Sequence, residues 1–204
     1  MLRIKAEQYK SDTGKASCCA KKNAVKKDDE IRMLASLFVN RINLKNVTQE
    51  RFIKMDIKIR PMKIEDYDQL YELWKTIRGF GIRSIDDSRE GTERFLKRNP
   101  TTSMVAEVGN KIVGGILCGH DGRSGYLYHV CVHQDYRKQG IGKQMAIACM
   151  RALQAEQINK VHLIAFKRNA GGNEFWRHVG WVDRGDVNYY EFDLNEENIT
   201  RFNE

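Results

Sequence analysis

The sequence predicts a domain of the α/β (α+β) class behind a separate basic extension. Three observations carry this reading. Strand-period and helix-period segments alternate from Met55 onward, an apolar strand feeds a helix through a basic, glycine-paired loop near 130–153, and charge is spread unevenly along the chain. Residues 1–55 hold 13 Lys and Arg against 6 Asp and Glu, a net +7, while residues 56–204 hold 22 against 21, a net +1. Of the net charge of +8, all but one unit therefore belongs to the extension. A nearly neutral domain argues against a nucleic-acid-binding face on it.

The elements follow in order. Ile57-Lys58-Ile59-Arg60 alternates within a first strand over 56–61. Residues 64–77 carry a helical stripe through Leu70, Leu73, Trp74 and Ile77. Asp87-Ser88-Arg89-Glu90 has the form of a capping box, opening a second helix that runs toward Lys97 with Pro100 beyond its end. Strands at 104–108 and 112–117 flank Gly109-Asn110-Lys111, a hairpin turn. A fourth strand covers 126–132, and the helix after the glycine loop runs to about Gln157. A fifth strand at 161–166, a short helix near 173–179 and a strand pair at 181–183 and 189–194 complete the order. No internal repeat interrupts it.

The extension has a different character. Residues 1–27 are rich in Lys, Ser and Ala without an apolar period, which predicts a disordered or weakly helical tail. Asp28-Asp29-Glu30 suits the first turn of a helix, and Ile31, Leu34, Leu37 and Phe38 supply an apolar stripe after it. The expected units are an extension at 1–54, with a helix near 28–40, and a domain at 55–204. Translation from Met55 would yield every element of that domain. No apolar run approaches the ~20 residues needed to cross a bilayer, and the N-terminus lacks an apolar signal core, so a cytoplasmic location is expected. Five cysteines without framework spacing read as reduced thiols, with Cys131 and Cys149 as small core residues.

The run Val130-Cys131-Val132-His133-Gln134-Asp135-Tyr136-Arg137-Lys138-Gln139-Gly140-Ile141-Gly142-Lys143 carries the most information about function. A strand that enters a helix through Arg-x-x-Gly-x-Gly gathers backbone N–H groups at the positive end of the helix dipole, a setting for phosphate or pyrophosphate. Gly140 and Gly142 let backbone approach the anion, and Arg137, Lys138 and Lys143 add charge. A Walker A loop does not fit, because Gln144 follows Gly142-Lys143. A dinucleotide fingerprint does not fit either, since Met145 stands at its third glycine. Downstream lies a second motif, Asn169-Ala170-Gly171-Gly172-Asn173-Glu174-Phe175-Trp176, which continues to Gly180-Trp181.

Together the two motifs resemble the acyl-CoA pyrophosphate loop and the Asn-led helix of the GCN5-related N-acetyltransferase (GNAT) family, over about residues 56–195. The resemblance implies that family's fold: a mixed, twisted sheet of about seven strands with helices on both faces, splayed between strands four and five. It implies acetyl-CoA as co-substrate and an amine acceptor as partner, with transfer direct in a ternary complex; a homodimer is compatible with it. Val130, Cys131 and Val132 would pair with pantetheine through main chain. Residues Lys138, Gln139, Gly140, Ile141, Gly142 and Lys143, with Arg137, would wrap the pyrophosphate. Asn169 would reach the pantetheine arm, and Trp176 would stand beside the cofactor.

The catalytic groups stay open. A backbone N–H near Val130 suits the thioester oxygen. Trp176 replaces the tyrosine that often serves as the acid, and an indole N–H is a very poor proton source. Tyr189 and Tyr190 are substitutes for it. For the base, Tyr126 falls where some relatives place a carboxylate, and Ile164 occupies the position where others have one. His129 has a suitable intrinsic pKa, and Glu191 is a further candidate. Cys118, His120, His129, Cys131 and His133 form a metal-like set on paper, but they lack a Cys-x-x-Cys pair, and no metal is expected. The remaining functional alternative is an acyl-CoA-binding sensor or pseudoenzyme whose N-terminal arm docks a partner.

Overall fold

The apolar periods of the sequence become two packed layers on opposite faces of one sheet. The structure is a computed structural model that describes residues 56–204. The extension, with its stripe at 31–38, lies outside the described residues. The elements are β1 (Ile57–Pro61), α1 (Tyr67–Thr76), β2 (Gly81–Arg83), α2 (Arg89–Arg98), β3 (Met104–Val108), β4 (Lys111–His120), β5 (Gly125–Val132), α3 (Ile141–Ala155), β6 (Val161–Leu163), α4 (Ala170–His178) and β7 (Thr200–Phe202). The main sheet has the order β1-β3-β4-β5-β6. Its pairs are antiparallel apart from β5 and β6, which run parallel on either side of the α3 crossover. Among the described residues no helix is long and apolar enough to cross a membrane.

One face of the sheet packs Met104, Ala106, Val113, Ile116 and Leu127 against Ile141, Met145, Cys149 and Leu153 of α3 and Trp176 of α4. The other packs Val105, Ile112, Leu117 and Cys131 against Leu70, Leu73 and Trp74 of α1 and Leu96 of α2. Helices therefore cover both faces, as expected. Each helix supplies an i, i+3, i+4 stripe to its layer, the arrangement that removes most apolar area from water.

A bulge in β5 shapes the centre of the sheet. Gly115 pairs with Cys131 and Leu117 pairs with Tyr128, so Ile116 alone faces both His129 and Val130. His129 takes a φ of 50°, a left-handed value uncommon for a residue with a Cβ. The extra residue reverses the side-chain alternation. Leu127, before it, lies in the α3 layer, whereas Cys131, after it, lies in the α1–α2 layer. Four residues of regular strand would have kept both on one face.

Beyond Leu127, β5 and β6 part. Only Gly125, Tyr126 and Leu127 pair with Val161, His162 and Leu163, so the predicted fifth strand at 161–166 shortens to three residues, and Ile164 and Phe166 stand exposed. The expected splay is present.

Three expectations need correction. The strand pair at 181–183 and 189–194 does not form. Tyr190, Phe192 and Leu194 alternate as a strand would, yet they are exposed in a segment without regular structure. A strand period needs a partner edge, and β6 offers only three residues. Second, the about seven strands of one mixed sheet are five in that sheet, with β2 and β7 forming a separate antiparallel pair. Third, Ser88 rather than Asp87 caps α2: its Oγ accepts the Gly91 N–H at 3.0 Å. Asp87 is thereby released for another partner.

Arg60 locks β1 to the start of α1. Its guanidinium donates to both carboxylate oxygens of Asp66 at 2.7 Å and to Glu107 at 2.7 Å, and Asp66 also accepts the Lys63 N–H at 2.9 Å. Burial alone would raise the Asp66 carboxyl, but the Arg60 fork and the Lys63 N–H outweigh it and hold it below its usual range. Asp66→Asn is expected to cost about 2 kcal/mol of stability at pH 7. A carboxylate depressed in the fold stabilises above its unfolded pKa, ~3.9, and loses that contribution as pH falls through the folded value. Urea unfolding should therefore separate variant from wild type at neutral pH and bring them together in acid.

Candidate active site

The glycine loop forms the N-terminal end of α3. Gly140 is the N-cap, with a φ of 78°, and no side chain caps the helix. The ladder begins with the Gln144 N–H donating to the Gly140 carbonyl at 3.0 Å, so the N–H groups of Ile141, Gly142 and Lys143 have no acceptor within the helix. No acidic residue sits in this first turn. Lys138 also takes a positive φ, 61°, which turns the loop sharply before the helix. Arg137, Lys138, Gln139 and Gly140 are exposed, Lys143 is half-buried, and Ile141 is buried and anchors the turn to the core. Among the described residues the result is an uncapped helix end with free donors, positive dipole and cationic side chains.

The two sequence motifs meet here. A Cβ built on Gly142 would lie 3.4 Å from the Phe175 ring of α4 and 3.7 Å from Val132. The second motif thus supplies the floor beneath the first. Asn169 caps α4, its Oδ1 accepting the Gly172 N–H at 3.0 Å. Trp176 is buried in the α3 layer, with ring centroids 4.9 Å from Phe175 and 4.8 Å from Trp181. Its position accounts for the indole as a core residue.

The open edge of β5 leads away from the loop. Past Leu127 that edge has no strand partner on the β6 side among the described residues, and Val130 and Val132 pack their side chains into the α3 layer. Arg137 Nε donates to the Val132 carbonyl at 2.9 Å and ties the strand end to the loop. Cys131 is buried, with its thiol toward the Gly115 carbonyl at 3.7 Å, and burial pushes that thiol up to about 12. The neighbouring Cys118 sulfur, together with burial, pushes the Cys149 thiol up as well. Neither is a nucleophile at neutral pH.

At the far end of the opening stands His129. Its ring lies between Trp74 and Phe80, with centroids 4.7 Å from each, and Nε2 is 2.6 Å from Asp87 Oδ1. Tyr126, three residues earlier, is half-buried, stacks on Tyr128 at 6.2 Å and packs at a tilt against His162 at 5.2 Å. Burial pushes the Tyr128 phenol up, with Tyr126 and Tyr189 adding to it, which places Tyr189 in that neighbourhood. Tyr190 is far more exposed, its hydroxyl accepting from Asn188 of its own segment at 3.4 Å. Glu191 pairs with Arg83 at 3.4 Å. The structure brings His129 to the bulge and leaves Tyr126, Tyr190 and Glu191 with partners elsewhere.

The metal-like set is dispersed. Cys118 and Cys131 lie in opposite layers, His120 pairs with Glu156 at 2.7 Å, and His133 Nδ1 accepts the Asp135 N–H at 3.4 Å. Asp87 was not legible in the sequence as a site residue, because its spacing to Glu90 gives it the form of a helix cap. The adjacent Ser88 was the signal: two capping side chains in succession leave one carboxylate free.

Comparison with known proteins agrees with this geometry. The model of the acetyltransferase (GNAT) family matches residues 67–181. An acetyltransferase of Pectobacterium atrosepticum is 32% identical over 113 residues, which are 55% of this chain and 79% of that relative. An aminoglycoside acetyltransferase from an uncultured soil metagenomic sample superposes with a TM-score of 0.55 at 25% identity, covering 71% of this chain and 100% of the other. PaiA N-acetyltransferase from Thermoplasma acidophilum, solved in complex with coenzyme A, superposes with a TM-score of 0.54 at 16% identity, covering 72% and 97%. With the glycine-capped helix, the bulged strand and the splayed edge in place, the chain belongs to the acetyltransferase (GNAT) family.

Proposed function

We propose that this protein is an N-acetyltransferase that moves the acetyl group of acetyl-CoA directly to a primary amine of a small molecule or protein. The observation that carries the reading is the opening between β5 and β6, with uncapped N–H groups of α3 at one end and His129 at the other. The residues fit the co-substrate. Ile141, Gly142, Lys143 and the loop from Arg137 to Gly140 would hold the pyrophosphate, and the free edge at 130–132 would take pantetheine as an added strand. Bound there, acetyl-CoA supplies an activated thioester.

The buried thiols support direct transfer over a cysteine-bound acyl intermediate: burial raises the Cys131 thiol, and the neighbouring Cys118 sulfur together with burial raises that of Cys149, so neither is poised as a thiolate nucleophile. In direct transfer the acceptor nitrogen forms the new C–N bond as the C–S bond breaks, and the sulfur leaves with the electron pair. A main-chain N–H released from the ladder at the bulge is suited to the developing oxyanion. The proton of the amine passes to His129, the imidazole nearest the bulge. The departing thiol has a pKa near that of cysteine, about 8.5, so it leaves at neutral pH with little help.

Release of free thiol from acetyl-CoA, followed across a panel of primary amines, tests the reading. Amine-dependent release with matching mass gain on one acceptor class is expected. Tight acetyl-CoA binding with no turnover on any amine would make the protein a sensor instead.

A further inference from the structure

We propose that Asp87 is the positioning residue of the active site: it holds the His129 imidazole in the one tautomer that can accept the substrate proton. The inference rests on the reading of His129 as proton acceptor and adds a residue that the family match does not assign. Asp87 is buried, with 5% of its surface exposed, and its two oxygens have separate tasks. Oδ1 meets His129 Nε2 at 2.6 Å, and Oδ2 accepts the Arg83 N–H at 2.6 Å. The carboxylate is an acceptor only, so the hydrogen between Asp87 and the ring belongs to Nε2, and in the neutral ring Nδ1 carries the lone pair. Tilted contacts with Trp74 and Phe80, at interplanar angles of 49° and 37°, confine the ring.

The placement of Asp87 is itself secured. Tyr67 on α1 donates to the Asp87 carbonyl at 2.9 Å. A Cβ on Gly91 would run into the backbone of Ile85 and Asp86, so the loop lies directly on the first turn of α2. From the C-terminal end of the chain, Asn198 Oδ1 accepts the Ile85 and Asp86 N–H groups at 3.0 and 3.2 Å, and β7 pairs with β2. The other charged or titratable groups around the pair are Arg83 and Asp86 of the loop, Glu191 on Arg83, Tyr67 and Tyr71 of α1, and Tyr128 of β5. None of these makes the contact to a ring nitrogen that Asp87 makes.

Asp87→Asn tests the proposal with nearly the same volume. Its amide oxygen can take the Arg83 N–H while its NH2 faces Nε2, which forces the ring proton onto Nδ1 and removes the acceptor. The expected result is a fall in kcat of roughly 100-fold with the KM for acetyl-CoA within twofold, and partial rescue by Asp87→Glu. Nitrogen NMR of the imidazole in the unaltered protein gives a readout free of folding effects: the neutral ring should carry its proton on Nε2. A proton on Nδ1, or full turnover in Asp87→Asn, would overturn the proposal. If Asp87→Asn is fully active while His129→Gln is inactive, only the positioning role falls. Activity in both would remove His129 as the acceptor too.

Discussion

His129→Gln is expected to lower kcat by roughly 10²- to 10³-fold, the range for loss of a general base, with little change in acetyl-CoA affinity. Glutamine is the informative replacement because its amide N–H can still meet Asp87, so the buried carboxylate keeps a donor. Alanine would leave Oδ1 of that carboxylate without its donor and add an instability of about 1–3 kcal/mol that has nothing to do with chemistry. The ring lies at the bulge, away from the pyrophosphate loop, so the loss should sit in kcat and spare the Kd of acetyl-CoA. Stopped-flow or steady-state thiol release gives the first number and calorimetry the second. Turnover within threefold of wild type would remove the imidazole from the mechanism and return the base to Tyr126 or to water.

Much of this arrangement was legible in the sequence, and the parts that were not share a cause. Positions inside one element came through. The period in α1 placed Leu70, Leu73 and Trp74 in the core, and the Arg-x-x-Gly-x-Gly run placed the helix end that carries Gly140. Relations between distant segments did not come through. Asp87 and His129 are 42 residues apart, and their 2.6 Å contact depends on a one-residue bulge that no local pattern marks. The same holds at the C-terminus. Residues 189–194 have a strand period but no edge to pair with, while Thr200–Phe202 has a weaker pattern and pairs with Gly81–Arg83 because Asn198 and Asn203 draw the segments together. Propensity proposes a strand; an available partner decides it.

The glycine loop offers the second large effect, and its geometry separates fold from ligand. Gly142 lies within α3, and a methyl group there would meet Phe175 and Val132 at 3.4 and 3.7 Å, ordinary contact distances. Gly142→Ala should therefore leave Tm unchanged or slightly raised, since alanine favours a helix over glycine by up to about 1 kcal/mol. The same methyl group stands among N–H groups that main chain must bring up to a phosphate. Acetyl-CoA affinity should fall at least tenfold, or about 1.4 kcal/mol, and more for Gly142→Val. Gly140→Val confounds the two effects, because a φ of 78° is strained for any residue with a Cβ. Arg137→Ala should cost less than tenfold, because its guanidinium is exposed and an exposed charge pair contributes little. Acetyl-pantetheine, which lacks the pyrophosphate, supplies the control and should bind wild type and Gly142→Ala alike. Equal acetyl-CoA affinities for those two proteins would place the phosphates elsewhere. Equal losses for acetyl-CoA and acetyl-pantetheine would instead put the damage on the β5 edge, through Val132 beside the new methyl group.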